Sequence, residues 1–290
     1  MLAALSLLAA FALVSCEQPK APQPRYVLGS AYQAGGVWHY PRESYDLNAT
    51  GLAAVMPDQH PPLTSNGEAF DQTALAGAHA TLQLPAIARL TNLETGLSTV
   101  VRINDRGSGS PRRLVEVTQR TADLLRFPPD GVARVRLTVL GNESRDAVEG
   151  LAGSPSLAIA AAPRGGVEVA ELPPPEGVRR GAARRVAAGP AAAEEIPRSV
   201  PILRLPEIIT QEPPRPGRLM VRLDTFEEYQ YAAIQRAKVI GLGPRIIRIS
   251  QGRTRQFRVE VGPFDDVARA EAVLDQALAA GIPDARIVVE

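Results

Sequence analysis

A chain of 290 residues has room for two domains at about 150 residues each. Hydrophobic residues reach 45%, enough for packed cores, while 4% aromatics with 24 Gly and 26 Pro point to compact modules joined by loose segments. A formal net charge of +1 offers no polyanion-binding surface, so no nucleic-acid partner is expected. One cysteine excludes an internal disulfide framework and a multi-cysteine zinc site.

Residues 1–16 are an apolar run, MLAALSLLAAFALVS, closing on Cys16. The run is too short to span a bilayer as a helix but has the length of a signal-peptide core, although no Lys or Arg precedes it. Leu13-Val14-Ser15-Cys16 resembles a bacterial lipobox. That resemblance implies lipidation at Cys16 and a lipoprotein held to a membrane by acyl chains. The expected place is the outer membrane facing the periplasm, or otherwise the cell membrane. Residues 17–25 read as a Pro-containing tether.

Residues 26–140 carry short β-like runs separated by Gly, Asn and Pro: Ile87-Ala88-Arg89-Leu90, Thr99-Val100-Val101-Arg102-Ile103, and the alternation Ala133, Val135, Leu137, Val139. Thr121-Ala122-Asp123-Leu124-Leu125-Arg126-Phe127 has the spacing of one short helix. The pattern predicts a small barrel or sandwich. Residues 141–216 are dominated by Ala, Pro, Gly, Glu and Arg, which predicts a disordered linker without a packed core.

Residues 217–290 read as βαββαβ, the split βαβ plan. The strands are placed at 219–223, 245–250, 256–261 and 285–289, with a turn at Gln251-Gly252. A helix over 225–240 is predicted to bury Phe226, Tyr229, Ala233, Ala237 and Ile240. A second helix over 265–280 starts with acidic residues and stops at Gly281.

Two of these modules resemble known families. The C-terminal module resembles a SPOR domain, through its element order and the phrase Phe257-Arg258-Val259-Glu260-Val261-Gly262-Pro263-Phe264. The resemblance implies a ferredoxin-like fold that binds peptidoglycan strands stripped of stem peptides. The first-strand phrase, Val221-Arg222-Leu223-Asp224-Thr225-Phe226, lacks the usual Gln and Gly.

The middle module is similar to the six-stranded double-psi β-barrel of the rare lipoprotein A family, the septal-ring lytic transglycosylases. The likeness rests on Gly35-Gly36-Val37-Trp38-His39-Tyr40-Pro41, Thr64-Ser65-Asn66-Gly67-Glu68, Ala76-Gly77-Ala78-His79 and Val101-Arg102-Ile103-Asn104-Asp105-Arg106-Gly107. It implies endolytic, non-hydrolytic cleavage of the MurNAc–GlcNAc bond of denuded glycan strands at the division septum, leaving a 1,6-anhydro sugar.

Carried over by resemblance, Glu68, His79 and Asp105 are the catalytic residues, and Asn66, Asn104, Arg106 and His60 bind substrate. Glu68 is taken as the acid that turns base, a task calling for a raised carboxyl pKa. His79 would bond substrate or tune Glu68. Asp105 would orient a partner or stabilise oxocarbenium charge, or form a structural pair with Arg106.

The sequence departs from the family at four places. Ala53-Ala54-Val55-Met56-Pro57 replaces a Ser-Trp-Tyr-Gly phrase, Pro61-Pro62 replace the Gly-Arg that usually follow His60, Ser108 replaces Pro, and Glu116 replaces Asp. Trp38 and His39 are expected to pack the N-terminal arm onto the barrel. His39, His60 and His79 lack the spacing of a metal-binding pair, so neither metal nor cofactor is expected. The competing reading is a non-catalytic septal peptidoglycan-binding lipoprotein, or a scaffold that contacts septal proteins.

Overall fold

The computed structural model describes residues 21–155, 204–251 and 254–290. The expected signal segment, Cys16 and most of the expected linker lie outside those residues. A hairpin of β1 (Tyr32–Ala34) and β2 (Val37–His39) leads into β3 (Asn48–Val55), β4 (Ala76–Ala78), β5 (Ala86–Asn92) and β6 (Leu97–Asp105). Then come β7 (Val115–Val117), the short helix α1 (Gln119–Leu124), β8 (Val132–Val139) and α2 (Gly141–Val148). Strands β3 to β8 pair in the order β4-β7-β3-β8-β5-β6, and β4 pairs back onto β6 to close a six-stranded barrel. Two of the pairings, β3–β7 and β4–β6, are parallel, so the barrel is mixed, as the double-psi expectation requires.

Strand β8 shows why the alternation was readable: Ala133, Val135, Leu137 and Val139 are buried among Leu84, Leu90, Ile103 and Leu125, while its other residues are only partly covered. Strand β3 was not foreseen. Its Ala- and Gly-rich sequence has weak β-propensity, yet both its faces are covered. Ala53 packs inside the barrel, and Leu52 points outward into a different cluster.

Both ends of the expected 141–216 linker are structured. Helix α2 is tied to β5, where the Ser144 hydroxyl accepts from the Ile87 N–H at 2.9 Å and donates to its carbonyl at 3.1 Å. Beyond the undescribed stretch, β9 (Thr210–Gln211) pairs with Leu97 and Ser98 of β6. Composition averages over a segment, whereas these residues are held by specific bonds to the barrel.

The C-terminal module contains β10 (Leu219–Phe226), α3 (Tyr229–Lys238), β11 (Arg245–Gln251), β12 (Thr254–Phe264), α4 (Val267–Ala279) and β13 (Arg286–Val289). Its antiparallel sheet has the order β11-β12-β10-β13, the ferredoxin-like arrangement expected. Asp266 caps α4 by accepting from the Ala268 and Arg269 N–H groups. Helix α3 starts at Tyr229 rather than at 225, because Thr225 and Phe226 remain paired with Arg258 and Phe257. The buried face shifts accordingly: Ala232 is buried, while Tyr229 and Ile240 are exposed.

This module is seated on the barrel. Leu52 and Leu93 join the cluster of Leu219, Val221, Ile287 and Val289. The Thr50 hydroxyl donates to the Val289 carbonyl at 2.7 Å and accepts from its N–H at 3.1 Å, which saturates that part of an edge strand. Arg112 pairs with Asp275 of α4 at 2.7 Å, and Arg134 donates to the Gly217 and Asp265 carbonyls. Leu52→Ala should therefore cost roughly 2–5 kcal/mol. Denaturant-dependent amide exchange should show the loss in β13 as well as in β3, whereas an effect confined to β3 would mean the modules are energetically separate.

Candidate active site at the end of β6

The loop carrying Glu68 is a tight turn. The Thr64 N–H donates to the Glu68 carbonyl at 2.9 Å and the Gly67 N–H to the Thr64 carbonyl at 2.8 Å. Gly67 has φ +82°, and a Cβ there would stand 2.3 Å from the Gln23 carbonyl oxygen, so only glycine fits. The expected tether is thus partly docked: the Gln23 and Arg25 N–H groups donate to Gly67 and Asn66 at 2.8 and 2.9 Å.

The turn delivers Glu68 into a closed polar cage, where the residue is 1% exposed. Arg102 Nη2 donates to Oε1 at 2.7 Å, and its Nε reaches both carboxylate oxygens at 3.0 and 3.1 Å. Asn66 Nδ2 adds a bond to Oε1 at 2.7 Å and Asn104 Nδ2 one to Oε2 at 2.9 Å. Burial pushes the carboxyl pKa up, but the Arg102 bonds and charge, with Asn104 and Asn66, together outweigh it and hold the group below its usual value. This overturns the raised pKa expected of Glu68. The caged group is a carboxylate, not a carboxylic acid.

Asp105 faces the other way. Its Oδ1 accepts from the Ser65 N–H at 3.0 Å, from the Ser65 hydroxyl and from the Arg106 N–H at 2.7 Å. Its Oδ2 lies 2.6 Å from His60 Nε2, while His60 Nδ1 lies 2.8 Å from the Pro61 carbonyl. Both imidazole nitrogens therefore face acceptors. The arrangement is satisfied only when one proton sits between the ring and the carboxylate. Phe70 stacks on the His60 ring with centroids 3.8 Å apart and fixes its plane.

His79 does not hydrogen-bond Glu68. Its Nδ1 accepts from the Thr81 and Leu82 N–H groups, each at 3.2 Å. Burial, aided by the charges of Arg106 and His39, lowers its pKa from 6.5 to about 4, so it is neutral near pH 7. Arg106 does not pair with Asp105 through its side chain either. Its guanidinium donates to the carbonyls of Leu28, Leu82 and His79, where it anchors backbone rather than substrate.

The expected residues thus form three neighbouring clusters, each fixed by one residue of Asn104-Asp105-Arg106. The side chain of Asn104 holds Glu68 and that of Asp105 holds His60. That of Arg106 holds the His79 loop. Arg102, Ser65 and Phe70 were missed as site residues. Period-2 alternation in β6 places Arg102 on the face of Asn104, a signal that was available in the sequence.

Glu68, Arg102 and Asn104 line a cavity of about 310 Å³, together with Met56 and Phe70 from the barrel and Leu205 and Glu207 from the segment ahead of β9. Met56 occupies the region of the absent aromatic phrase, and Phe70 supplies an aromatic ring. Two other departures compensate each other: Glu116 accepts from the Ser108 N–H at 3.0 Å and from its hydroxyl. His39 anchors the arm by its 2.9 Å contact with the Gly109 carbonyl, but Trp38 is 56% exposed and does not pack on the barrel as expected.

The lowered His79 pKa sets a pH dependence. The unfolded chain takes up a proton near 6.5 that the folded state refuses until about 4, so stability falls as pH drops through that window. The loss by pH 4 should be roughly 3 kcal/mol. Glu68, lowered in the fold, adds to it below its unfolded value of 4.5. His79→Asn keeps an acceptor for the two N–H groups, and melting curves from pH 7 to 4 should lose the upper part of this slope.

A family model described as lytic transglycolase matches residues 48–137. Over 123 residues the chain is 31% identical to the endolytic peptidoglycan transglycosylase RlpA of Rickettsia felis, covering 41% of this chain and 54% of that protein. RlpA of Helicobacter pylori is 39% identical over 113 residues, covering 38% of this chain and 36% of that protein. RlpA of Escherichia coli K12 is 38% identical over 108 residues, covering 37% and 30%. The chain spans about half the length of these relatives, or less. The barrel of this chain is thus similar to the lytic transglycolase domain over residues 48–137 and to the RlpA proteins at 31–39% identity.

Proposed function

We propose that the chain is an endolytic peptidoglycan lytic transglycosylase that cleaves the MurNAc–GlcNAc β-1,4 bond of denuded strands and leaves a 1,6-anhydro end. The observation that carries this reading is the placement, at one strand end, of a caged carboxylate near a hydrogen-bonded His60–Asp105 dyad. Lytic cleavage breaks the bond from C1 to the leaving oxygen and forms a bond from the sugar's own O6 to C1. One group can deliver a proton to the leaving oxygen and then take one from the 6-hydroxyl, with no water activated.

That assignment goes to the Asp105–His60 pair. Glu68 is held ionised, and His79 is neutral with its Nδ1 occupied by backbone. Glu68, at the same strand end, supplies a fixed negative charge toward the positive charge that develops at C1. Arg102, Asn66 and Asn104 fix it for that task.

The wider reading rests on the order of the modules. A lipobox-like segment would tether the chain to the outer membrane through Cys16. The SPOR-like module would bind the same denuded polymer at the septum, raising the local concentration of strands for the barrel. The caged state of Glu68 favours one second reading, a septal glycan-binding lipoprotein that docks without cutting.

A product assay on amidase-treated peptidoglycan separates the two. The native chain should release anhydro-terminated oligosaccharides, and Asp105→Asn and His60→Gln should each lower turnover on the order of 10²- to 10⁴-fold. Binding to denuded sacculi with no soluble product selects the docking reading, and full activity in His60→Gln removes the dyad. Glu68→Gln is expected to be both inactive and destabilised by roughly 3–5 kcal/mol, since Arg102 is left buried and unpaired. Glu68→Gln with Arg102→Met should recover melting temperature but not turnover, which separates the carboxylate's chemical role from its structural one.

A further inference from the structure

Residues 204–215 run across the barrel beside the cavity. Arg204 pairs with Asp71 at 2.7 Å, and Leu205 and Glu207 stand in the cavity wall facing Glu68, Arg102 and Asn104. Arg120 clasps the Glu207 carboxylate through two nitrogens. The Thr99 hydroxyl donates to the Ile208 carbonyl at 2.9 Å, and the Ser98 and Thr210 hydroxyls meet at 2.7 Å. Farther on, the Glu212 N–H donates to the Gly96 carbonyl and the Arg215 N–H to that of Leu93. A Cβ at Gly96 would fall 1.9 Å from the Glu212 carbonyl oxygen, so the barrel surface is shaped to this segment.

The attachment is specific, yet it is polar and lies at the surface. The side chains of both ion pairs are substantially exposed, and Ile208 and Ile209 point to solvent. Exposed pairs of this kind contribute little and are screened by salt. The cavity, at about 310 Å³, is at the small end of ligand pockets, which span roughly 300–1,000 Å³. An endolytic site, in contrast, must let a polymer continue on both sides of the cut bond.

Resting on the glycan-cleaving reading above, we propose that residues 204–211 are a strap that limits the docked site to short saccharides and must lift before a long glycan strand can enter. Seven residues separate the strap from β10 at Leu219, and Glu212 and Arg215 among them are bonded to the barrel, so the strap can lift without displacing the C-terminal module. Arg204 and Glu207 are then determinants of substrate length.

Two measurements on the full chain test this. In hydrogen exchange, long denuded strands should speed exchange at residues 97–99 and 208–211, while an anhydro-disaccharide should leave it unchanged. Unchanged or slowed exchange with long strands overturns the proposal. In Ser98→Cys/Thr210→Cys, oxidation fastens the strap and reduction frees it in the same folded protein. Cleavage of long strands should fall roughly tenfold on oxidation, as expected when the open state drops to a tenth, and recover on reduction. Equal rates in the two states overturn the strap. Absence of product in every state is instead a failure of the transglycosylase reading, and the exchange measurement still decides the strap.

Discussion

The buried ion pair of Glu68 with Arg102 is the constraint around which the site is arranged. A carboxylate with 1% exposure is tolerated only when its oxygens are fully bonded, and here Arg102, Asn66 and Asn104 supply all the donors. The donors come from two demands on the chain. Asn66 needs the Gly67 turn, and Arg102 with Asn104 needs β6 paired to its neighbours on both sides. The N-terminal residues 23–25 clamp the turn from outside. Removing Arg102 leaves the Glu68 charge stranded in the barrel wall.

The same strand end separates the chemistry into compartments. Successive side chains of a strand point to opposite faces, so Asn104 and Asp105 cannot serve one cluster. Glu68 is held on the cavity side, and the His60–Asp105 pair lies on the other side of the Ser65-Asn66 turn. Arg106 spends its guanidinium on three carbonyls and thereby orders the loop that buries His79. The ionised Glu68 and the hydrogen-bonded His60–Asp105 pair therefore occupy separate clusters at one strand end.

The barrel and the C-terminal module are also coupled more closely than a tethered pair. They share the cluster around Leu52 and Leu93, and Thr50 closes two backbone groups of β13. The strap at 204–211 lies against the same barrel, next to the cavity. The two modules and the 204–211 segment are therefore joined through packed and hydrogen-bonded contacts on one barrel.

Local pattern in the sequence was enough for much of this fold. The alternation in β8, the runs of β5 and β6, the βαββαβ order and the stop at Gly281 all express short-range rules, and all are present. So was the Asn66-Gly67 turn that presents Glu68. What failed depended on distant residues. The weak β-former β3 is held by burial on both faces, and helix α3 is trimmed because its first residues pair with β12. Residues 141–148 and 204–215 are ordered by barrel contacts that composition cannot show. The sequence by itself determined which acids, histidines and asparagines are present, and their order along the barrel. Only the tertiary structure decided their partners, because a carboxyl's charge depends on which donors burial places around it. That is why Glu68 is bound to Arg102 and Asp105 to His60, rather than either to His79.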